Sequence, residues 1–314
     1  MENKTNILVT GGAGNVGSAL VERLIENPNN FVVVADNLLT GSIEKLPEAP
    51  NNNLEFVKCD VNINEAISNI FETYSFDYVF HYAALVGVKR TLDNPLMVLA
   101  DIEGFKNILE LCKNSNVKRI IFSSSSEVYG EPVDYPQNEK TTPLNAQLPY
   151  AIVKNIGEAY LKSYQQAHGL DFTIFRFFNT YGPKQSKDFV ISKFINAALN
   201  NNDITIYGDG SQTRTFCYIE NNINATVYAA FNDAGKNQTI NIGNNIETPV
   251  LELAKTIIKL TESKSQIVHL PALEDGDMTR RNPDITIMKS LVDQEIYSLE
   301  DGLKKVLENT TFIA

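Results

Sequence analysis

Cysteine is scarce in this 314-residue chain: Cys59, Cys112 and Cys217 stand far apart and form no CxxC pair. That argues against a disulfide framework and against a zinc site, and suits a reducing compartment. No apolar run reaches the length of a bilayer span, and the N-terminus shows no charged segment leading into an apolar one. A basic excess is missing too, since 27 Lys and Arg face 38 Asp and Glu, a formal net charge of −11. Such acidity argues against general nucleic-acid binding, while a few arginines or a helix N-terminus can still hold a phosphorylated ligand. There are no internal repeats or low-complexity tracts, and the pieces "NPNN", "NNN" and "NNND" read as solvated turns. With 43% hydrophobic and 21% charged residues, the expectation is a globular cytoplasmic protein without membrane or nucleic-acid partners.

What the sequence does contain is an alternation. Short β-branched runs, "NILVT" (6–10), "FVVVA" (31–35), "LEFVKC" (54–59), "FDYVFHYA" (76–83) and "KRIIFSS" (118–124), read as strands. Continuous apolar runs of this kind suit a parallel sheet covered on both faces. Helical segments separate them, from Gly14 to about Glu26, Val98 to Lys113 and Pro149 to His168. The pattern predicts an α/β fold, a Rossmann-type doubly wound parallel sheet. After "DFTIFRFFNTYGP" (171–183) the alternation loosens into short strands ("ITIYG", "QTINIG") and helices near 188–200, 219–232 and 249–262. The expected division is a dinucleotide-binding domain over 1–180 and a smaller α/β substrate lobe over 181–314, with some exchange of chain between them.

The first strand runs into "TGGAGNVG", where Gly11, Gly14 and Gly17 follow a GxxGxxG spacing. A glycine triplet alone is a weak signal, but the strand–turn–helix setting is the one a pyrophosphate site needs. Gly11 allows the tight turn, Gly14 lets backbone approach phosphate, and Gly17 lets the helix pack on the strand. Asp36, closing the second strand in "VVVADN", stands where a carboxylate can accept from ribose hydroxyls and repel a 2′-phosphate, favouring NAD over NADP. Asp60, in "KCDV", reads equally as an adenine contact or as a helix N-cap.

"PYAIVKNIGEAY" sets Tyr150 and Lys154 one helical turn apart on one face. A free tyrosine, with a pKa of about 10, is a poor base. A lysine ammonium about 4 Å away contributes roughly 4 kcal/mol at an effective dielectric near 20, about three pKa units before desolvation opposes it. Thirteen tyrosines make a lone Tyr-x-x-x-Lys unremarkable. Its place after a glycine loop and an acidic ribose site gives it weight. The run "FSSSSEVYG" then has a chemical use, because strand ends in such a sheet face the ligand and a serine hydroxyl there can share a substrate proton with the tyrosine.

Taken together, "TGGAGNVG", "DNLLTG", "HYAAL", "SSSSEVYG", "YAIVK", "RFFNTYGP", "GDGSQTRTF" and "NIG" resemble, in order and over nearly the whole chain, the extended short-chain dehydrogenase/reductases of the nucleotide-sugar epimerase/dehydratase family. The resemblance implies NAD as cofactor, held at the glycine loop by Gly11, Gly14, Asn15, Val16 and Gly17. After the second and third strands it implies Asp36, Asn37, Asp60 and Val61, and after the fourth Ala83 and Ala84. It assigns catalysis to Ser125, Tyr150 and Lys154, with Tyr150 taking the proton of a sugar hydroxyl as hydride leaves C4. Lys154 would hold the nicotinamide ribose and lower the tyrosine pKa. Substrate contacts would come from Val86, Ser125, Asn179, Arg214 and Arg280, with Arg281 able to take the place of Arg280. Three positions depart from the family pattern: Asp101 where an asparagine is usual, "GNVG" in the loop, and Thr215 after Arg214. The family also implies a homodimer or higher oligomer, paired through the helices near 96–113 and 150–168.

Glu127 bears on the reaction. The 4,6-dehydratases of the family carry an Asp-Glu pair after the catalytic hydroxyl, whereas this chain has Ser126-Glu127, so a base is present and the acid is missing. "RRNPDIT" resembles UDP-glucuronate decarboxylases, yet their proline-containing loop is replaced by "AALVGVKRT". A 4-epimerase needs no further acid or base, and that is the leading expectation. Net oxidation with release of a 4-keto sugar, dehydration, decarboxylation and a purely NAD-sensing role stay open at this point.

Overall fold

The computed structural model describes residues 4–49, 52–131, 133–272 and 280–313. Six of the apolar runs form strands, β1 (Thr5–Thr10), β2 (Asn30–Asp36), β3 (Leu54–Lys58), β4 (Tyr78–His81), β5 (Arg119–Ser125) and β6 (Phe172–Phe177). A seventh, Gln238–Ile242, comes from beyond residue 180 and pairs with β6. All pairs are parallel, in the order seventh–β6–β5–β4–β1–β2–β3. The expected doubly wound α/β sheet is present.

Side chains alternate across such a sheet, which is why each strand has to be apolar throughout. Ile7 and Val9 of β1 join Leu20, Val21 and Leu24 of α1 (Asn15–Ile25) on one face. Between them Leu8 joins the other face, which is covered by α2 (Asn64–Thr73), α4 (Pro95–Asn114) and α5 (Pro149–His168) through Ile67, Phe105, Ile108 and Leu161. The short α3 (Val88–Asp93) lies between β4 and α4. Farther along, α6 (Val190–Leu199), α7 (Ile219–Phe231) and α8 (Val250–Thr261) match the predicted helices. The sequence pattern did not reveal α9 (Thr286–Leu291), α10 (Leu299–Leu307) or the antiparallel pair Thr213–Thr215 with Glu247–Pro249, because six-, nine- and three-residue elements hold too few periods to read.

Two of the asparagine-rich turns each bury one asparagine, while the turn at 200–203 is exposed as expected. Asn30 donates from Nδ2 to Leu24 O at 2.8 Å, and Asn53 donates to Ile25 O at 3.0 Å, both side chains being buried. They satisfy carbonyls at the C-terminal end of α1 that the helix itself leaves unpaired.

Registers Thr10↔Ala35, Thr10↔His81 and His81↔Phe122 set the C-terminal ends of β1, β2, β4 and β5 side by side. The chain reverses its winding between β1 and β4, and the crevice at that switch point is where such sheets take ligands.

Candidate active site

Gly11 leaves β1 with φ +70°, and a Cβ there would lie 2.6 Å from the backbone nitrogen of Ala83. A Cβ on Gly17 would be driven into the carbonyl oxygen of Gly11. Two backbones therefore meet across a turn that admits only glycine, and α1 opens beyond it. Its N-cap is Gly14, with no side-chain cap, so the first-turn amides of Asn15, Val16 and Gly17 and the positive end of the helix dipole suit a phosphate. Asp36, buried at the end of β2, accepts from Ala13 N at 3.0 Å and from Leu38 N at 2.8 Å, tying this carboxylate to the glycine loop. Asn37 donates to Asp60 Oδ2 at 3.3 Å. Asp60 is not a helix N-cap: α2 is capped at Ile63, and Asp60 Oδ1 accepts from Asn62 N in the preceding turn. Val61 O accepts from Asn107 Nδ2 at 3.0 Å, and Ala83 N donates to Thr10 Oγ1 at 3.3 Å, with Ala84 next along the chain.

The serine run ends β5 and turns into a 3₁₀ segment, Ser126–Tyr129, capped by Ser125 Oγ accepting from Glu127 N at 3.2 Å. Opposite, α5 begins with Pro149, whose missing N–H costs nothing in a first turn. This brings Tyr150 close to the Ser125 hydroxyl. Lys154, buried one turn on, donates to Ser123 O at 2.7 Å and lies 4.8 Å over the Phe122 ring and 5.7 Å from the Tyr150 ring centre. Burial lowers its pKa to about 8, against the pull of Asp101.

The expected depression of the Tyr150 pKa is not found in this structure. Burial pushes the phenol up, and the Glu127 and Asp101 carboxylates add to the rise, outweighing the nearby Ser125 hydroxyl and Arg281. The sequence argument placed a full ammonium in effective contact with the phenol oxygen. In the structure Lys154 is anchored on a backbone carbonyl under the ring, and desolvation wins.

Glu127 Oε1 accepts from Arg281 Nη2 at 2.6 Å, and Arg281 Nη1 donates to Ser126 Oγ at 3.1 Å. Arg281, 7% exposed, is thus the C-terminal arginine at the serine turn. Its neighbour Arg280 turns elsewhere, binding Glu247 through Nε at 2.8 Å and 3.0 Å and covering the Tyr135 ring at 4.5 Å. Glu247, held down to about pKa 2 chiefly by Arg280, sits on the strand facing Arg214, in the register Thr248↔Arg214. Arg214 and Arg280 are therefore brought to one place, apart from Arg281. Asn179, at φ +39°, donates to Thr215 O at 3.0 Å, joining β6's exit to the Arg214 strand. Val86 O accepts from Arg90 Nη1 at 2.8 Å at the rim.

Sequence reading missed what lies beneath. Glu158, one further turn along the Tyr150–Lys154 stripe, accepts from Ser124 Oγ at 2.6 Å and from both Nε (2.9 Å) and Nη2 (2.7 Å) of Arg176. Arg176 Nη1 donates to Tyr129 OH at 2.8 Å, and Tyr129 donates to Asn241 Oδ1 at 2.9 Å. A lone arginine inside "FTIFRFF" was the available signal, since a charge in a buried strand needs a partner.

The sequence profile of the NAD dependent epimerase/dehydratase family matches residues 7–243. The chain is 34% identical to a UDP-N-acetyl-alpha-D-glucosaminuronate decarboxylase of Bacillus cytotoxicus over 97% of each chain. It is 36% identical to a putative UDP-glucose 4-epimerase of Methanocaldococcus jannaschii, over 96% of this chain and 97% of the other. The crystal structure of the Thermotoga maritima UDP-glucose 4-epimerase with UDP-glucose superposes with a TM-score of 0.91 at 34% identity, over 97% of this chain and 98% of that one. The glycine cradle, the carboxylate at the end of β2 and the Ser-Tyr-Lys group fit that likeness, and the chain belongs to the NAD dependent epimerase/dehydratase family.

Proposed function

We propose that the protein interconverts C4 epimers of a nucleotide-diphosphate sugar, a UDP-sugar being favoured by the relatives. What carries this reading is the placing of Tyr150 close to the Ser125 hydroxyl above buried Lys154, at the sheet end that faces the glycine loop. Bound NAD supplies the acceptor and donor of the C4 hydride. Tyr150 takes the C4 hydroxyl proton and returns it, Ser125 shares that proton, and Lys154 holds the ribose side and supplies positive charge. Gly11, Gly14, Asn15, Val16 and Gly17 would hold the pyrophosphate, Asp36, Asn37, Asp60 and Val61 the adenosine, and Ala83 and Ala84 the nicotinamide half. Arg214, Arg280 and Asn179 would meet the sugar-nucleotide diphosphate, and Val86 the sugar. Glu127 is engaged by Arg281, which leaves epimerisation as the reaction needing no further acid or base.

A second reading is favoured by Arg281 itself. A guanidinium beside Glu127 and within electrostatic reach of Tyr150 suits a sugar carboxylate at C5. Once C4 is a ketone, that carboxylate is β to the carbonyl, so the C5–C6 bond can break with loss of CO₂ and a proton must then be added at C5.

The separating experiment incubates the protein with NAD and UDP-, GDP- and dTDP-sugars, uronates included, in deuterated water, and follows proton NMR. A C4 epimer with its C5 proton retained supports the proposal. A pentose carrying deuterium at C5 identifies decarboxylation, a 4-keto product without loss of C6 oxygen net oxidation, and a 6-deoxy-4-keto product dehydration. Two further expectations join the proposal. Exposed Leu96, Met97 and Leu99 on α4 and Ile152 on α5 support pairing of two copies through these helices, and three buried free thiols support work in the reducing cytoplasm.

A further inference from the structure

Lys154 is a buried cation whose hydrogen bond to Ser123 O brings it no compensating charge. The carboxylate that acts on it belongs to Asp101 of α4. Asp101 Oδ2 accepts from Leu85 N at 2.8 Å, and Oδ1 accepts from Asn62 Nδ2 at 3.4 Å. The second contact has a fixed sense, because Asn62 Oδ1 already accepts from Gly104 N at 3.0 Å and its Nδ2 must face Asp101. Two donors thus converge on the two oxygens of residue 101. A carboxylate satisfies both, whereas an asparagine offers one acceptor and turns its own NH₂ toward the other donor. Asp101, His81 and Lys154 also share the lining of a cavity of about 20 Å³, with Phe105 and Phe122 among its apolar walls. That is room for about one water.

We propose that Asp101 is a positioning residue, the counter-charge that keeps Lys154 an ammonium, coupled to it through a water in the cavity the two side chains share. The proposal extends the reading of Lys154 as part of the reacting group and rests on it for its catalytic consequence. The surrounding charges fit. Burial lowers Lys154 to about 8 with Asp101 opposing, and burial raises Asp101 with the Leu85 amide and Lys154 opposing and Asp60 adding to the rise. His81, on β4, is kept neutral by burial and brings no charge. Tyr150, on α5, feels Asp101 and Glu127 as negative neighbours and Arg281 as a positive one. Without the Asp101 charge, Lys154 gives up its proton at lower pH and Tyr150 gives up its own more readily. Both limbs of a pH profile then move toward acid.

The test uses the full chain without ligand, with ¹³C-labelled lysine and aspartate, Lys154→Met assigning the lysine signal and Asp101→Asn the aspartate. In Asp101→Asn the Lys154 titration midpoint should fall by about one to three pH units. Asp101→Glu should keep most of the wild-type midpoint. If the asparagine variant does not fold, Asp101→Ser, which leaves space for water, carries the same expectation. An unchanged Lys154 midpoint in the neutral variant overturns the proposal, as does a wild-type Asp101 carboxyl that is neutral at pH 7. In turnover measured with NAD, the alkaline limb should move acidward by the same interval. A Lys154 shift with an unmoved limb would uphold the counter-charge and remove Lys154 from the catalytic reading, so the two failures are told apart.

Discussion

Replacing Arg176 by methionine strips a buried carboxylate of its partner. Glu158 and Arg176 are 1% and 2% exposed, so water cannot take over the guanidinium's role. The pair is bidentate, and Arg176 also anchors Tyr129, which in turn reaches Asn241 on the seventh strand. Breaking a buried pair by removing one member costs about 3–5 kcal/mol. With unfolding entropy proportional to chain length, one kcal/mol at 314 residues is about 1.5 °C in midpoint, so Arg176→Met should melt about 5–8 °C below wild type. Thermal unfolding followed by circular dichroism reads this directly. Glu158→Gln should cost a similar amount, leaving a buried cation instead. The double variant should be more stable than the two losses predict together, by about 0.5–3 kcal/mol of coupling, because neither charge is then stranded. A midpoint within about 1.5 °C of wild type for Arg176→Met, or strictly additive losses, would refute the reasoning that each buried charge depends on the other.

Tyr150→Phe should lower turnover by about 10²–10⁴ while NAD affinity, measured by equilibrium dialysis, stays within a few-fold. Retained turnover would remove Tyr150 from the mechanism. Gly17→Ala should weaken NAD binding and lower the melting midpoint together, because the added Cβ meets the backbone oxygen of Gly11 and α1 has to move off the loop. His81, which burial lowers to about 3, makes stability fall with acid: the unfolded chain takes up this proton below about pH 6.5 and the folded chain does not. Urea unfolding at stepped pH should therefore show stability declining from pH 6.5 toward 3, worth roughly 5 kcal/mol in full, with a flatter acid limb in His81→Gln.

The sheet was legible because burial on both faces forces a run of apolar residues, a pattern that survives without any knowledge of partners. Ile7, Leu8 and Val9 point to different cores, yet all three must be apolar. The glycine loop was legible for a related reason: Gly11 and Gly17 answer to backbone geometry within a few residues of each other. Arg280 and Arg281 show where this reasoning stops. The two are adjacent and chemically identical, and the resemblance assigned the substrate to Arg280 first. What separates them is which carboxylate each one meets, Glu247 at the Arg214 strand or Glu127 at the serine turn, 33 and 154 residues away along the chain. The same holds for Tyr150, whose proton affinity the sequence assigned from one neighbour four residues on. Its environment is set by Glu127, Asp101 and Arg281, brought in by the 3₁₀ turn after β5, α4 and the C-terminal segment. Local spacing fixes which side chains share a helix face. The charge each of them feels is fixed by burial and by partners from other elements, and in this site burial outweighs the helical neighbour.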